Sequence, residues 1–164
     1  MEISSKSNLT RAAMLAALCA VLTMSIRIPC PLGGYLNLGD CGVLLSGWLL
    51  GPVWGAAAAG LGSSFADILG YPLYAPATFV IKALMAACSV WVWHRLKSIR
   101  LSPLASCFAA GLVGELIMVL GYYLFEALFL GLGTAAAANL PFNLLQGCLG
   151  ILSALFLAKI LLRL

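Results

Sequence analysis

Leu38-Gly39-Asp40-Cys41-Gly42-Val43-Leu44-Leu45-Ser46-Gly47-Trp48-Leu49-Leu50-Gly51-Pro52-Val53-Trp54-Gly55-Ala56-Ala57-Ala58-Ala59-Gly60-Leu61-Gly62-Ser63-Ser64-Phe65-Ala66-Asp67-Ile68-Leu69 is apolar along most of its length and is interrupted once, at Gly51-Pro52. Proline removes a helix donor and glycine loosens the backbone, so the run reads as two helices, Leu38–Leu50 and Pro52–Leu69. The first is too short to span a bilayer without tilt or burial by its neighbours. Outside this stretch, apolar runs near the ~20 residues that a membrane crossing takes lie at Leu9–Ile26, Ala75–Leu96, Pro103–Leu130 and Leu140–Leu162. The expected fold is an all-α integral membrane bundle of six transmembrane helices, forming one membrane domain over residues 1–164.

Composition points to the bilayer as solvent. Of 164 residues, 63% are hydrophobic and 9% charged, and the mean hydropathy is +1.09. Positively charged loops stay cytoplasmic. A six-helix path that starts inside gathers Lys6, Arg11, Arg95, Lys97, Arg100, Lys159 and Arg163 on the inner side, leaves only Arg27 outside and buries Lys82. Five helices would part Lys159 and Arg163 from the 95–100 cluster, so an even count with both termini cytoplasmic is expected. The basic, then apolar N-terminus imitates a signal peptide, but it runs to Ile26 without a good cleavage site and reads as a retained first helix.

Against this background the polar residues stand out. Four of the five acidic residues (Asp40, Asp67, Glu115 and Glu126) fall within or at the rim of apolar segments, joined by Lys82, Asn139, Asn143 and Gln146. A charge at the bilayer centre costs roughly 2.5–3.5 kcal/mol on insertion scales, which calls for a polar cavity between helices. The six-helix path puts Asp40, Asp67, Tyr71, Tyr74, Glu126 and Asn139 at the outer ends of their helices, Lys82 somewhat deeper and Glu115 near mid-membrane. A ligand site opening to the outside is expected.

Spacing then suggests how such a site is lined. Glu115, Tyr122 and Glu126 share one helix face, as do Asn139, Asn143 and Gln146. Two facing polar stripes suit a ligand with hydrogen-bonding edges, with Tyr122, Tyr123, Trp48 and Phe142 available for stacking; hydrogen bonding between the helices themselves is the competing reading. Lys82 needs a partner, and Asp67, Asp40 and Glu115 are the candidates; an ion pair and a ligand contact remain equally open. Asp40 is also placed to cap a helix start. The loop Pro29–Asp40 mixes stiff prolines with permissive glycines and reads as an ordered lid. The candidate ligand residues are Asn37, Asp40, Asp67, Tyr74, Lys82, Glu115, Tyr122, Asn143 and Gln146.

Other chemistry finds no footing. Cys19, Cys30, Cys41, Cys88, Cys107 and Cys148 are scattered singly and read as packing residues. His94, the one histidine, ends a helix beside Arg95 and builds no zinc site. No cofactor, metal or nucleic-acid partner is expected, and no nucleophile–base pair suggests an enzyme. The chain has no G-x-x-x-x-G-K-[ST] sequence, so any ATP must be used by a partner. Ala12, Ala16 and Ala20 form one smooth row on the first helix and Ala13 and Ala17 the next, fit either for internal packing or for docking another membrane subunit.

Gly33-Gly34-Tyr35-Leu36-Asn37-Leu38-Gly39-Asp40, Leu50-Gly51-Pro52-x-x-Gly55, Gly62-Ser63-Ser64-x-Ala66-Asp67 and Gly70-Tyr71-Pro72-x-Tyr74-Ala75-Pro76-Ala77-Thr78-x-x-x-x-Lys82 resemble the substrate-binding S components of energy-coupling factor (ECF) vitamin transporters. Met118-Val119-Leu120-Gly121-Tyr122 and Pro141-x-Asn143-x-x-Gln146-Gly147 resemble the same group, in its riboflavin and hydroxymethylpyrimidine/pyridoxine branch. The resemblance covers residues 9–160. It implies a multi-pass protein of a prokaryotic plasma membrane with a vitamin site under the first loop. It also implies that an Ala-x-x-x-Ala face docks a transmembrane coupling subunit, with two ATPase subunits completing the transporter. A pyrimidine or pyridine vitamin is expected ahead of riboflavin. The rival reading, a stand-alone secondary carrier or channel, would call for internal repeats, and none is convincing.

Overall fold

The computed structural model describes residues 2–98 and 101–161, with side chains described from Ser7 onward. Arg100, Leu162, Arg163 and the side chain of Lys6, used in the readings above, lie outside the described residues. Helix α1 (Glu2–Ser25) is followed by a minimal antiparallel hairpin, β1 (Ile28–Pro29) with β2 (Tyr35–Leu36), in which Ile28 pairs with Leu36 and Pro29 with Tyr35. Then come α2 (Gly39–Gly70), α3 (Ala75–Ser98), α4 (Pro103–Leu124), a π-helical turn (Phe125–Phe129), a 3-10 helix (Gly133–Asn139) and α5 (Leu140–Leu161). Among the described residues, five helices are long and apolar enough to cross a membrane.

The break expected at Gly51-Pro52 is real. Gly51 has φ 80° and ψ −178°, a conformation open essentially to glycine alone, and proline bars its predecessor from continuing the helix. The two halves of α2 then fold back on each other. A Cβ built on Gly55 would stand 2.5 Å from the Ser46 carbonyl oxygen and 2.7 Å from Gly47 Cα, so only glycine admits that approach. Cys19 of α1 packs against both Gly42 and Gly62, residues that a straight helix would hold about 30 Å apart. Both ends of α2 accordingly lie at one end of the bundle, Gly39 against Thr23 and Gly70 against Arg27.

Around this hairpin α2 packs on α1, α3 and α5, while α4 packs on α3 and α5. Leu44, Leu45, Met85, Ala86, Met118 and Ala154 fill the centre. Trp48, offered above as a stacking residue, belongs to this core, and its Nε1 donates to Ser89 Oγ at 2.9 Å. Val53, Leu116, Leu128 and Phe129 are exposed, as suits side chains whose solvent is lipid.

The alanines of α1 divide. Ala12 and Ala20 are buried and the Ala16 carbonyl sits where a Gly62 Cβ would stand, so that row packs within the protein, whereas Ala13 and Ala17 are exposed. Internal packing thus occupies one row and leaves the other free.

Candidate functional site

The polar residues converge at the end of the bundle where α2 begins and ends. Lys82 of α3 forms a fully buried ion pair with Asp40 Oδ1, which settles its partner among the three candidates. Gln146 of α5 donates to Asp40 Oδ2 at 2.7 Å, and its Oε1 accepts from the backbone N–H of Asn37 at 2.8 Å and from Asn37 Nδ2 at 3.2 Å. Asn37 Oδ1 in turn accepts from Gly39 N at 2.8 Å. Helix α2 therefore starts on the Asn37 side chain. The capping role expected of Asp40 is not seen, because both its oxygens are engaged by Lys82 and Gln146, where a buried charge is compensated best.

A second carboxylate closes the other end of α2. Asp67 accepts from Tyr35 of the hairpin and from Thr78 Oγ1 of α3, and Thr78 is hydrogen-bonded to Tyr122 of α4 at 2.9 Å. Arg27 donates to the Ala66 carbonyl at 3.1 Å and lies 5.0 Å over the Tyr35 ring. Burial, reinforced by Asp67, holds the Tyr35 phenol well above its ordinary pKa.

The third carboxylate, Glu126, sits in the π-helical turn. Its Oε1 accepts from Asn139 Nδ2 at 3.0 Å and from the Tyr74 hydroxyl at 3.3 Å. Asn139 also holds the loop tip, accepting from Leu32 N at 3.3 Å and donating to the Gly33 carbonyl at 3.2 Å. Gly33 and Gly34 pass over the Tyr74 ring with φ 103° and 72°. The loop expected to be ordered is thus tied at its tip by Asn139 and at its base by Gln146.

Between these networks lies one pocket. Asn37, Asp67, Tyr74, Lys82, Tyr122, Asn143 and Gln146, all expected from the sequence, line it, together with Thr23, Cys30, Ser63, Thr78 and Glu126. The space is about 470 Å³, part of it open to solvent, and it is narrow inside with a polar wall. Three buried groups on its wall lack any partner: the hydroxyls of Thr23 and Ser63 and Oε2 of Glu126. Buried polar atoms are almost always satisfied, so these three are free to take a hydrogen bond. Tyr123 and Phe142 do not line it.

Two expected residues stand elsewhere. Asp40 lies behind the wall and acts on the pocket through Lys82 and Gln146. Glu115 is buried against Gly147 and Gly150 of α5 beside the Asp40 carboxyl, and it borders a separate apolar crevice of about 490 Å³ between α4 and α5, lined by Leu112, Leu116, Val119, Leu144 and Ile151. Conversely, Thr23, Ser63 and Thr78 went unread because hydroxyls in apolar helices pass for packing residues. Only the positions of Ser63 and Thr78, one turn before Asp67 and Lys82, hinted at more, and nothing in the sequence singled out Thr23.

Fold and site together define the class: an all-helical, membrane-embedded protein with a lidded polar pocket at one end of its bundle. A family model described as the ECF-type riboflavin transporter S component matches residues 4–163, and the chain belongs to that family. It is a substrate-binding subunit of an ECF transporter, a component that works with a coupling membrane subunit and ATPases. A solved structure described as the S component of a bacterial ECF transporter has the same fold, with a TM-score of 0.71 at 21% identity over 97% of each chain. A Pyrococcus woesei protein, described only as an uncharacterized protein in the gap 3′ region, is 37% identical over 118 residues, 71% of this chain and 76% of its own length.

Proposed function

We propose that this chain captures a small, flat, polar vitamin or vitamin precursor at the outer face of a prokaryotic plasma membrane and presents it to a coupling subunit and two ATPase subunits for uptake. The observation that carries the reading is the pocket under the tied loop, with three buried polar groups awaiting partners. Its narrow interior and hydroxyl- and amide-rich wall favour a pyridine or pyrimidine such as pyridoxine or hydroxymethylpyrimidine. Asn143, Asn37 and Gln146 supply amide edges, Tyr74 and Tyr122 ring faces, and Lys82 and Asp67 the flanking charges. Riboflavin is the second reading, favoured by the family's description.

The topology we propose is six spans, with the two halves of α2 counted separately and both termini inside. Arg95 and Lys97 end α3 at the pole away from the pocket, each packed over a tryptophan, Trp91 at 5.2 Å and Trp93 at 3.9 Å. Basic and aromatic residues so paired are typical anchors of a cytoplasmic interface. The exposed Ala13 and Ala17 row is the proposed docking surface, since small residues allow close helix approach in lipid. Calorimetry of the purified chain against a vitamin panel tests the function. Tight binding of one pyridine, pyrimidine or flavin vitamin, with uptake only when ATPase partners are present, is the expected result. Uptake by the chain alone would return the reading to a secondary carrier.

A further inference from the structure

We propose that Glu126 reads the charge of the ligand: its free Oε2 accepts a hydrogen bond from an N–H or O–H of the bound compound, so the site takes neutral or cationic molecules and rejects their phosphate monoesters. The inference rests on the vitamin-capture reading and narrows it to a charge class.

The pocket wall has little left to offer an anion. Among the described residues lining the pocket, Lys82 is the one cation, and Asp40 already neutralises it in a buried pair. Arg27 stands outside the lining, engaged with the Ala66 carbonyl and the Tyr35 ring. Two carboxylates face the space, and the oxygens of Asp67 are both occupied, by Tyr35 and Thr78. Glu126 is only 3% exposed, yet its Oε2 has no donor. A ligand donor relieves that deficit, whereas a phosphate would sit beside two carboxylates with no free cation to meet it. The remaining unpartnered groups, the Thr23 and Ser63 hydroxyls, are neutral.

The backbone supports the assignment independently. Glu126 lies in the π-helical turn Phe125–Phe129 that ends α4, and single π-turns at helix ends or interruptions recur at functional sites. Because Oε1 of the same carboxylate holds Asn139, and Asn139 holds Leu32 and Gly33, a ligand on Oε2 shares one residue with the latch of the loop tip.

The test titrates the detergent-purified full chain with matched pairs, pyridoxine against pyridoxine 5′-phosphate and riboflavin against its 5′-phosphate. The unphosphorylated member of the pair that binds is expected to bind at least about 100-fold more tightly. This comparison needs no variant to fold. Glu126→Gln is expected to weaken that member by about 5- to 100-fold and to narrow the gap between the two. Cys30 provides a second readout. It lines the same pocket, and its thiol pKa is raised by burial and further by the charge of Glu126, so Glu126→Gln is expected to lower the pH midpoint of Cys30 alkylation. Equal affinities within the pair overturn the proposal, as does a Glu126→Gln chain that binds like the wild type with the Cys30 midpoint unmoved. Binding of neither member of any pair removes the vitamin-capture reading and this inference with it.

Discussion

Glu115 and Glu126 lie eleven residues apart near one face of the same helical segment, about 16 Å apart along its axis, and both are buried, yet they occupy different chemical worlds. Glu126 is met by Tyr74 and Asn139 in a pocket built from the loop and all five long helices, whereas Glu115 meets the Asp40 carboxyl, two glycines of α5 and a crevice of leucines. The contrast teaches that burial alone does not make a carboxylate part of a ligand site. What distinguishes the pocket is the convergence of donors and acceptors from several elements on one space.

Breaking the pocket's charge balance has the largest expected effect. Lys82→Met leaves Asp40 buried without its cation and is expected to cost about 3–5 kcal/mol of stability. The double variant Asp40→Asn/Lys82→Met recovers most of it, as read by thermal unfolding in detergent. If Lys82→Met alone is harmless, the ion pair is not what orders this end of the bundle. The hairpin that brings both ends of α2 to the pocket comes next. Gly51→Ala forces a side chain into a glycine-only conformation and is expected to cost about 1–3 kcal/mol, although nothing crowds the position sterically.

Asn143→Ala separates binding from folding. It removes a polar partner from the pocket wall, and the ligand affinity is expected to fall about 5- to 150-fold, some 1–3 kcal/mol, with the unfolding temperature nearly unchanged. Glu115→Met gives the smallest effect and the sharpest test of the comparison. The strongest charged neighbour of Glu115 is the like carboxyl of Asp40, so the change is expected to leave affinity unchanged and stability within about 1 kcal/mol of the wild type or above it. A large loss of affinity would place Glu115 in the ligand's reach after all.

Much of this architecture was legible from the amino acids. The long apolar runs marked the helices to within a few residues at most ends, and Gly51-Pro52 marked the break because both residues oppose a continuous helix for known backbone reasons. The start of α1 was read too late, since the polar residues before Leu9 carry no hydrophobic signal although the helix begins at Glu2. The π-helical turn and the two-residue hairpin leave no periodicity to detect. In the site, spacing put Glu115 and Glu126 on one face but could not say what each faces, because that depends on α5 and the loop. Glycine notches at Gly147 and Gly150, which carry no polar signal, are where Glu115 packs against α5 instead of on the pocket wall.

Two native cysteines make the central claim directly measurable, since Cys30 lines the polar pocket and the exposed Cys148 lines the apolar crevice. Alkylation rates of both, followed by mass spectrometry on the purified chain with and without saturating vitamin, compare the two regions within one molecule. The ligand is expected to slow modification of Cys30 at least several-fold and to leave Cys148 unchanged. Protection of Cys148 with Cys30 left reactive would contradict the claim.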